Sequence, residues 1–292
     1  MHSSKIINGT RYAEEIFTLL KEEIYTLKKL NIVPCITAIM VGNNPSSDAY
    51  VKIKKTKAKD LGIEFRVLKF EENIQLDELS KSIAEVNKDS KINGIILQMP
   101  LPRHMSKDSH VLLDIISPYK DIDALTTYNI GALISDTHHV SPCTPQGIMY
   151  VLKKVFCDNM QGMNAVVIGR SKIVGLPLSH MLLRENCTVS ILHSSTKDIT
   201  QHTKNADILI AAIGKKHFIK SHMIKEGACV IDVGITRYNS KLYGDVDFDD
   251  LYPKVSFISP VPGGVGPMTV AFLIKNAITL TKLQYNLPIN HN

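Results

Sequence analysis

Short apolar runs recur along this chain between helical stretches, and no other feature limits its fold as strongly. Cys35 to Val41, Phe65 to Phe70 and Ile92 to Leu97 read as strands. Between them the spacing predicts a helix from Ser47 to Gly62 and another over Leu76, Leu79, Ile83 and Val86. A strand covered on both faces is apolar throughout, and strands joined through helices run parallel. The rhythm returns in Ala165 to Gly169, Thr188 to Leu192, Asp207 to Ala211, Ala228 to Val233 and Val255 to Ile258. The predicted fold class is α/β, with a mainly parallel sheet in an N-terminal lobe and a Rossmann-like C-terminal lobe.

Helices are also expected over Ile16, Leu19, Leu20, Ile24 and Leu27, read as one face, and from Met268 to about Leu283. The last is too apolar to stand exposed and is expected to pack back on the first lobe. Ser47 is expected to cap the helix it opens, and Thr144 to cap one with Pro145 at its first position. The polar stretch Thr126 to His139 reads as a bridge between lobes, and Asn239-Ser240 as the turn of a small hairpin near Tyr238 to Tyr243. The expected domains are 1–142 with 267–292, and 143–266.

Bulk properties exclude several classes. With 292 residues, 44% hydrophobic and 21% charged, the chain is comfortable as two globular domains. No apolar run is long enough to cross a bilayer, and Met1-His2-Ser3-Ser4-Lys5 lacks the apolar core of a signal peptide, so the cytoplasm is expected. The five cysteines are scattered without a C-x-x-C pair, which fits free thiols and no metal site. The net charge of +6 is modest. Lys52, Lys55, Lys57 and Lys59 have no interleaved aromatics, so they form either a solvated helix face or an attraction for an anionic substrate, not a nucleic-acid surface.

Three blocks carry chemistry. Tyr50 and Lys54, four residues apart, share a helix face. Gln98 stands where Ile95-Ile96-Leu97 gives way to Met99-Pro100-Leu101-Pro102, as a buried parallel strand ends at a crevice. Asp123 adds a carboxylate. A phenol, an amine, an amide and a carboxylate suit proton handling on a polar heterocycle. By the residues alone, Lys54 is either a surface lysine or a catalytic one. The turn Gly169-Arg170-Ser171 to Gly175 leads from strand to helix, where backbone amides receive a pyrophosphate, although Ser171 replaces the usual middle glycine. The next strand ends in His193-Ser194-Ser195 without an acid for ribose hydroxyls, and Arg170 suits a 2′-phosphate, which favours NADP over NAD. His193 itself also reads as a plain polar strand end. Asp232-Val233-Gly234-Ile235 and the glycine- and proline-dense Pro260 to Thr269 bring backbone near a planar ligand.

Taken together, these motifs resemble the bifunctional methylenetetrahydrofolate dehydrogenase/methenyltetrahydrofolate cyclohydrolase family. The matches are Tyr50-Val51-x-x-Lys54, Gln98-x-Pro100-Leu101-Pro102, Lys120-Asp121-Ile122-Asp123, Pro142-Cys143-Thr144-Pro145, Gly169-Arg170-Ser171 with Val174-Gly175-x-Pro177, Asp232-Val233-Gly234 and Pro260 to Thr269. The resemblance implies a folate lobe and an NADP lobe flanking a cleft, a homodimer, and a place in one-carbon metabolism feeding purine and amino-acid synthesis. It implies Lys54 as the central catalytic residue, Gln98 orienting it, Tyr50 bordering the folate ring and Asp123 on the pterin. It places Gly169, Arg170, Ser171, Ser194 and Ile235 on NADP, and Pro262 and Gly263 on substrate. Two residues depart from the family's D-V-D-G block: Ile122 for valine, and Ala124 for a glycine free to take positive φ. A lysine serves as both proton acceptor and donor only if burial, neighbouring lysines and a cationic substrate lower its pKa. The alternatives are a monofunctional NADP-dependent dehydrogenase of the same plan, a shikimate-type dehydrogenase, and a regulatory module without catalysis.

Overall fold

The computed structural model describes residues 5–239 and 241–289. In chain order the elements are α1 (Gly9–Lys29), β1 (Cys35–Val41), α2 (Pro45–Asp60), β2 (Glu64–Phe70), α3 (Leu76–Lys88), β3 (Gly94–Leu97), α4 (Ser109–Ile115), α5 (Thr127–Ile134), α6 (Cys143–Phe156), β4 (Asn164–Ile168), α7 (Gly175–Arg184), β5 (Thr188–Leu192), α8 (Ile199–Thr203), β6 (Ile208–Ala211), β7 (Cys229–Asp232), β8 (Thr236–Tyr238), β9 (Lys241–Tyr243), α9 (Phe248–Leu251), β10 (Phe257–Ile258) and α10 (Val265–Gln284). The chain divides into two compact units. One comprises Glu15–Cys143 and the described residues from Val270 onward; the other comprises Thr144–Thr269 and the described residues up to Glu14.

In the first unit β1 is central, in the order β2-β1-β3, and both pairings are parallel. Every residue of β1 and β3 is buried, whereas β2 is partly open, which is why β1, Thr37 apart, and β3 read as apolar runs. Ile39, Leu79, Ile83, Ile95, Leu97 and Leu112 join one core. Residue 126–139 contains α5, capped by the Thr126 hydroxyl, and lies wholly within this unit instead of bridging two lobes. In α1, Ile16, Phe17, Leu20, Ile24 and Leu27 are buried but Leu19 is 62% exposed, because at about 100° per residue it falls outside their stripe.

The second unit carries a parallel sheet in the order β10-β7-β6-β4-β5. Its core gathers Val166, Ile168, Leu209, Ala211, Val230 and Ile258. The N-terminal segment belongs here because Ile7 N–H donates to Ile258 O at 2.8 Å and Ile258 N–H to Lys5 O at 2.9 Å. β8 and β9 form the expected hairpin, with Thr236 opposite Tyr243 and Tyr238 opposite Lys241. Ser240, in its turn, lies outside the described residues.

Three helix starts differ from expectation. α2 opens at Pro45, and its cap is Asn44, whose Oδ1 accepts from Ser46 N–H at 2.9 Å and Ser47 N–H at 3.2 Å. Ser47 is inside the first turn, buried, and its hydroxyl finds no partner. α6 begins at Cys143, so Thr144 is helical and its Oγ1 instead meets Thr269 Oγ1 at 2.9 Å. α10 begins at Val265, which makes Pro267 a first-turn residue, where a missing N–H costs nothing.

Candidate active site

α2 presents Ser47, Val51, Lys54 and Ala58 to the interior of the first unit. Lys54 is therefore 5% exposed, while Lys52, Lys55 and Lys59 on the same helix face solvent. Burying a lysine is costly unless its ammonium is hydrogen-bonded. Here Nζ donates to Gln98 Oε1 at 3.1 Å and lies 6.0 Å from the centre of the Tyr50 ring. Gln98 follows β3 directly, and its Nε2 donates to Met99 O at 2.7 Å, which turns the carbonyl oxygen toward the amine. Burial pushes the Tyr50 phenol above its ordinary value, which keeps that ring neutral beside the amine.

Asp123 reaches the same unit from the segment after the Ile95–Asp121 bridge. The two acids of this block are unlike. Asp121 is buried, and its Oδ2 accepts from Thr126 N–H at 2.8 Å and Asn129 Nδ2 at 3.0 Å. Burial raises its pKa from 3.8 to about 6 against those bonds. Asp123 is half-buried, with Oδ1 3.8 Å from Cys143 Sγ. Burial first, then the Asp123 charge, drives the Cys143 thiol well above its ordinary pKa, which leaves it an unreactive group. Ala124 takes φ 56°, the left-handed conformation for which glycine is the natural residue, so the substitution preserves the turn at a steric cost.

In the second unit the candidates gather at the carboxyl ends of the parallel strands, where open α/β sheets bind ligands. Gly169 ends β4 with φ 124°, and a side chain there would come within 2.4 Å of Ala212 O. A Cβ on Gly175 would stand 2.0 Å from Gly169 O. The turn between them is thus closed by two close backbone approaches that exclude side chains. Ser171 Oγ accepts from Val174 N–H at 3.2 Å, and Arg170, Ser171 and Ser194 are exposed. The Ser194 turn is closed by His193 N–H donating to Thr196 Oγ1 at 2.9 Å. Ile235, 46% exposed, follows Gly234, whose missing side chain makes room for the Asp245 carboxylate. Pro262 and Gly263 lie in the turn after β10, where Thr10 N–H donates to Gly263 O at 3.2 Å.

Sequence reasoning missed the support behind this edge. Asp245, buried, accepts from Ile213 N–H at 2.7 Å, Gly214 N–H at 3.1 Å and Lys215 N–H at 2.6 Å, and so fixes the loop after β6. Asp232 accepts in turn from Asp245 N–H at 2.8 Å and Val246 N–H at 3.0 Å. The signal was there in Gly244-Asp245, a glycine beside an acid on the far side of a hairpin from Asp232-Val233-Gly234. No group of three metal-ligating side chains occurs among the described residues.

A parallel sheet with side-chain-free turns at its carboxyl edge is the arrangement of a nucleotide-binding α/β protein, and the other unit carries a buried lysine held by an amide. Residues 7–123 match the catalytic domain, and residues 142–285 the NAD(P)-binding domain, of tetrahydrofolate dehydrogenase/cyclohydrolase. The chain belongs to the tetrahydrofolate dehydrogenase/cyclohydrolase family, and it is a bifunctional enzyme with both activities. It is 47% identical over 283 residues to the bifunctional protein FolD of Thermodesulfovibrio yellowstonii, covering 97% of this chain and 98% of that one. The crystal structure of the Campylobacter jejuni FolD bifunctional enzyme superposes with a TM-score of 0.90 at 41% identity, over 95% of this chain and 98% of that one. The Trypanosoma brucei enzyme, solved with NADP cofactor and inhibitor, gives 0.91 at 33% identity, over 96% and 98%.

Proposed function

We propose that the first unit binds 5,10-methylenetetrahydrofolate and the second binds NADP, and that the enzyme oxidises the substrate to 5,10-methenyltetrahydrofolate and hydrolyses that to 10-formyltetrahydrofolate. The cofactor's fit rests on the β4–α7 turn, a backbone cradle that a Cβ would fill, aimed from a helix start as a pyrophosphate requires. Gly169, Arg170, Ser171, Ser194 and Ile235 hold it there. NADP is favoured over NAD because β5 ends in His193-Ser194-Ser195 with no acid, while Arg170 stands exposed for a phosphate. NADP held there would supply the hydride acceptor for oxidation of the methylene carbon.

The chain's own residues do the rest. Tyr50 borders the pterin-derived ring. Asp123 accepts from its N–H groups. Water attacks the methenyl carbon of the cation, whose charge is shared by its two nitrogens, and Lys54 Nζ takes up the proton that the water releases. The tetrahedral adduct collapses as the C–N5 bond breaks: Lys54 returns its proton to N5, and the hydroxyl proton of the adduct passes to solvent as the formyl C=O forms. Gln98 holds the amine through a neutral carbonyl, which directs it without the charge of a carboxylate. The observation that carries this reading is the buried Lys54 held by Gln98 at 3.1 Å. A homodimer, cytoplasmic placement, and supply of one-carbon units to purine and amino-acid synthesis complete the proposal on the strength of the motif resemblance.

Lys54→Met is the test. It should abolish hydrolysis of methenyltetrahydrofolate and leave NADP affinity within about twofold. Undiminished hydrolysis by that variant rejects the role of Lys54. Methylenetetrahydrofolate assayed with NADP and with NAD, following reduced nicotinamide and methenyl absorbance together, tests the cofactor preference.

A further inference from the structure

We propose that Asn276, on α10, is a positioning residue for the folate substrate: it fixes the Ile122 carbonyl and thereby the carboxylate of Asp123. The proposal rests on the assignment of Asp123 to the pterin.

Asn276 is 2% exposed in the most apolar part of its helix, with Leu273, Ile274, Ala277 and Ile278 all buried around it. A side-chain amide in such surroundings is tolerated only when its donors are used. Both are: Nδ2 donates to Ile122 O at 2.9 Å and to Ser141 O at 2.9 Å, and lies 3.5 Å from Cys143 Sγ. The two carbonyls belong to segments outside any helix or strand, where the main chain has no ladder of its own to satisfy them.

Ile122 separates the two acids. Asp121 is locked independently by Thr126 and Asn129. Beyond Asp123 the chain turns through the left-handed Ala124. The peptide between Ile122 and Asp123 is the middle of a turn closed by Ala124 N–H donating to Asp121 O at 3.2 Å; its own carbonyl is held by Asn276, together with the Cys143 thiol at 3.3 Å. A side chain on a long packed helix sets a loop more sharply than the loop sets itself, and a displacement of about 1 Å at a binding carboxylate costs large factors in rate.

The experiment is a double-mutant cycle with full steady-state kinetics on the intact enzyme. Asp123→Ala alone should raise the KM for methylenetetrahydrofolate. Asn276→Ala alone should raise it about tenfold, equivalent to about 1.4 kcal/mol, with the NADP dissociation constant unchanged. In the Asp123→Ala background, Asn276→Ala should change that KM less than twofold, although its effect on the melting temperature persists. An equal KM effect in both backgrounds, or none in either, overturns the proposal. If Asp123→Ala itself leaves KM unchanged, the pterin assignment fails and the proposal goes with it. Asn276→Ser, smaller but polar, serves the same cycle if the alanine variant does not fold.

Discussion

The Asp232 carboxylate gives the enzyme a pH dependence of stability opposite in sign to ordinary acid denaturation. Burial raises its pKa from 3.8 to about 7; the N–H groups of Val246 and Asp245 pull against that rise, and the Asp245 charge adds to it. With a raised pKa in the folded state, the native protein keeps a proton that the unfolded chain releases. Its stabilising contribution is complete below about pH 4 and is lost as pH rises through about 7. A rise from 3.8 to about 7, at about 1.4 kcal/mol per tenfold change in proton affinity, gives about 4 kcal/mol, more than half of which falls between about pH 5 and about pH 8. Asp232→Asn abolishes the titration but turns an NH2 toward one of the two backbone donors, at a cost of about 1–3 kcal/mol. Urea unfolding of both proteins should find the variant less stable at about pH 5 and the gap closing by about pH 8. All other titrating groups are common to the pair, so the difference reports Asp232 together with the Asp245 charge coupled to it. A gap that stays constant to within about 0.5 kcal/mol across that range refutes the reasoning.

Other perturbations have equally definite outcomes. Gly175→Ala places a methyl 2.0 Å from Gly169 O, against backbone that cannot swing aside, and should weaken NADP binding at least tenfold by calorimetry; an affinity within twofold of the parent rules the turn out as the phosphate site. Ala124→Gly relieves about 1–2 kcal/mol of left-handed strain but loses a buried methyl and about 0.5–1 kcal/mol of chain entropy. The unfolding free energy from urea titration should therefore change by less than about 1 kcal/mol, whereas Ala124→Val, branched and buried at φ 56°, should cost more than about 2 kcal/mol. Gln98→Leu leaves the buried Lys54 amine without its acceptor, and cyclohydrolase turnover should fall at least tenfold while NADP affinity holds.

Most of this architecture was legible because parallel strands covered on both faces leave long apolar signatures. Cys35–Val41 and Thr188–Leu192 match their predicted bounds, and the edge strand β2 was readable for its aromatic and β-branched content. Helix starts were less legible, for local reasons. Proline at the first helical position fixes the cap one residue earlier, so Pro45 points to Asn44 and not to Ser47. Leu19 misled because a leucine three residues after Ile16 fits one helical stripe while the buried one runs the other way. The pairing of Lys54 with Gln98 was foreseeable from a helix face and a strand end; the amide of Asn276 was not. Nothing in Lys275-Asn276-Ala277 announces a partner more than a hundred residues away, because a side-chain-to-carbonyl bond has no periodicity.

That long-range bond has a bearing on biosynthesis. The unit holding Lys54 and Asp123 is interrupted: it needs Val270 onward as well as Glu15–Cys143, with the whole nucleotide-binding segment translated in between. At roughly 5–20 residues per second, the nascent first unit waits many seconds on the ribosome with its Ile122 carbonyl lacking the Asn276 bond. The inserted unit is free to fold first, and the unit around it is finished only when the last long helix emerges from the exit tunnel.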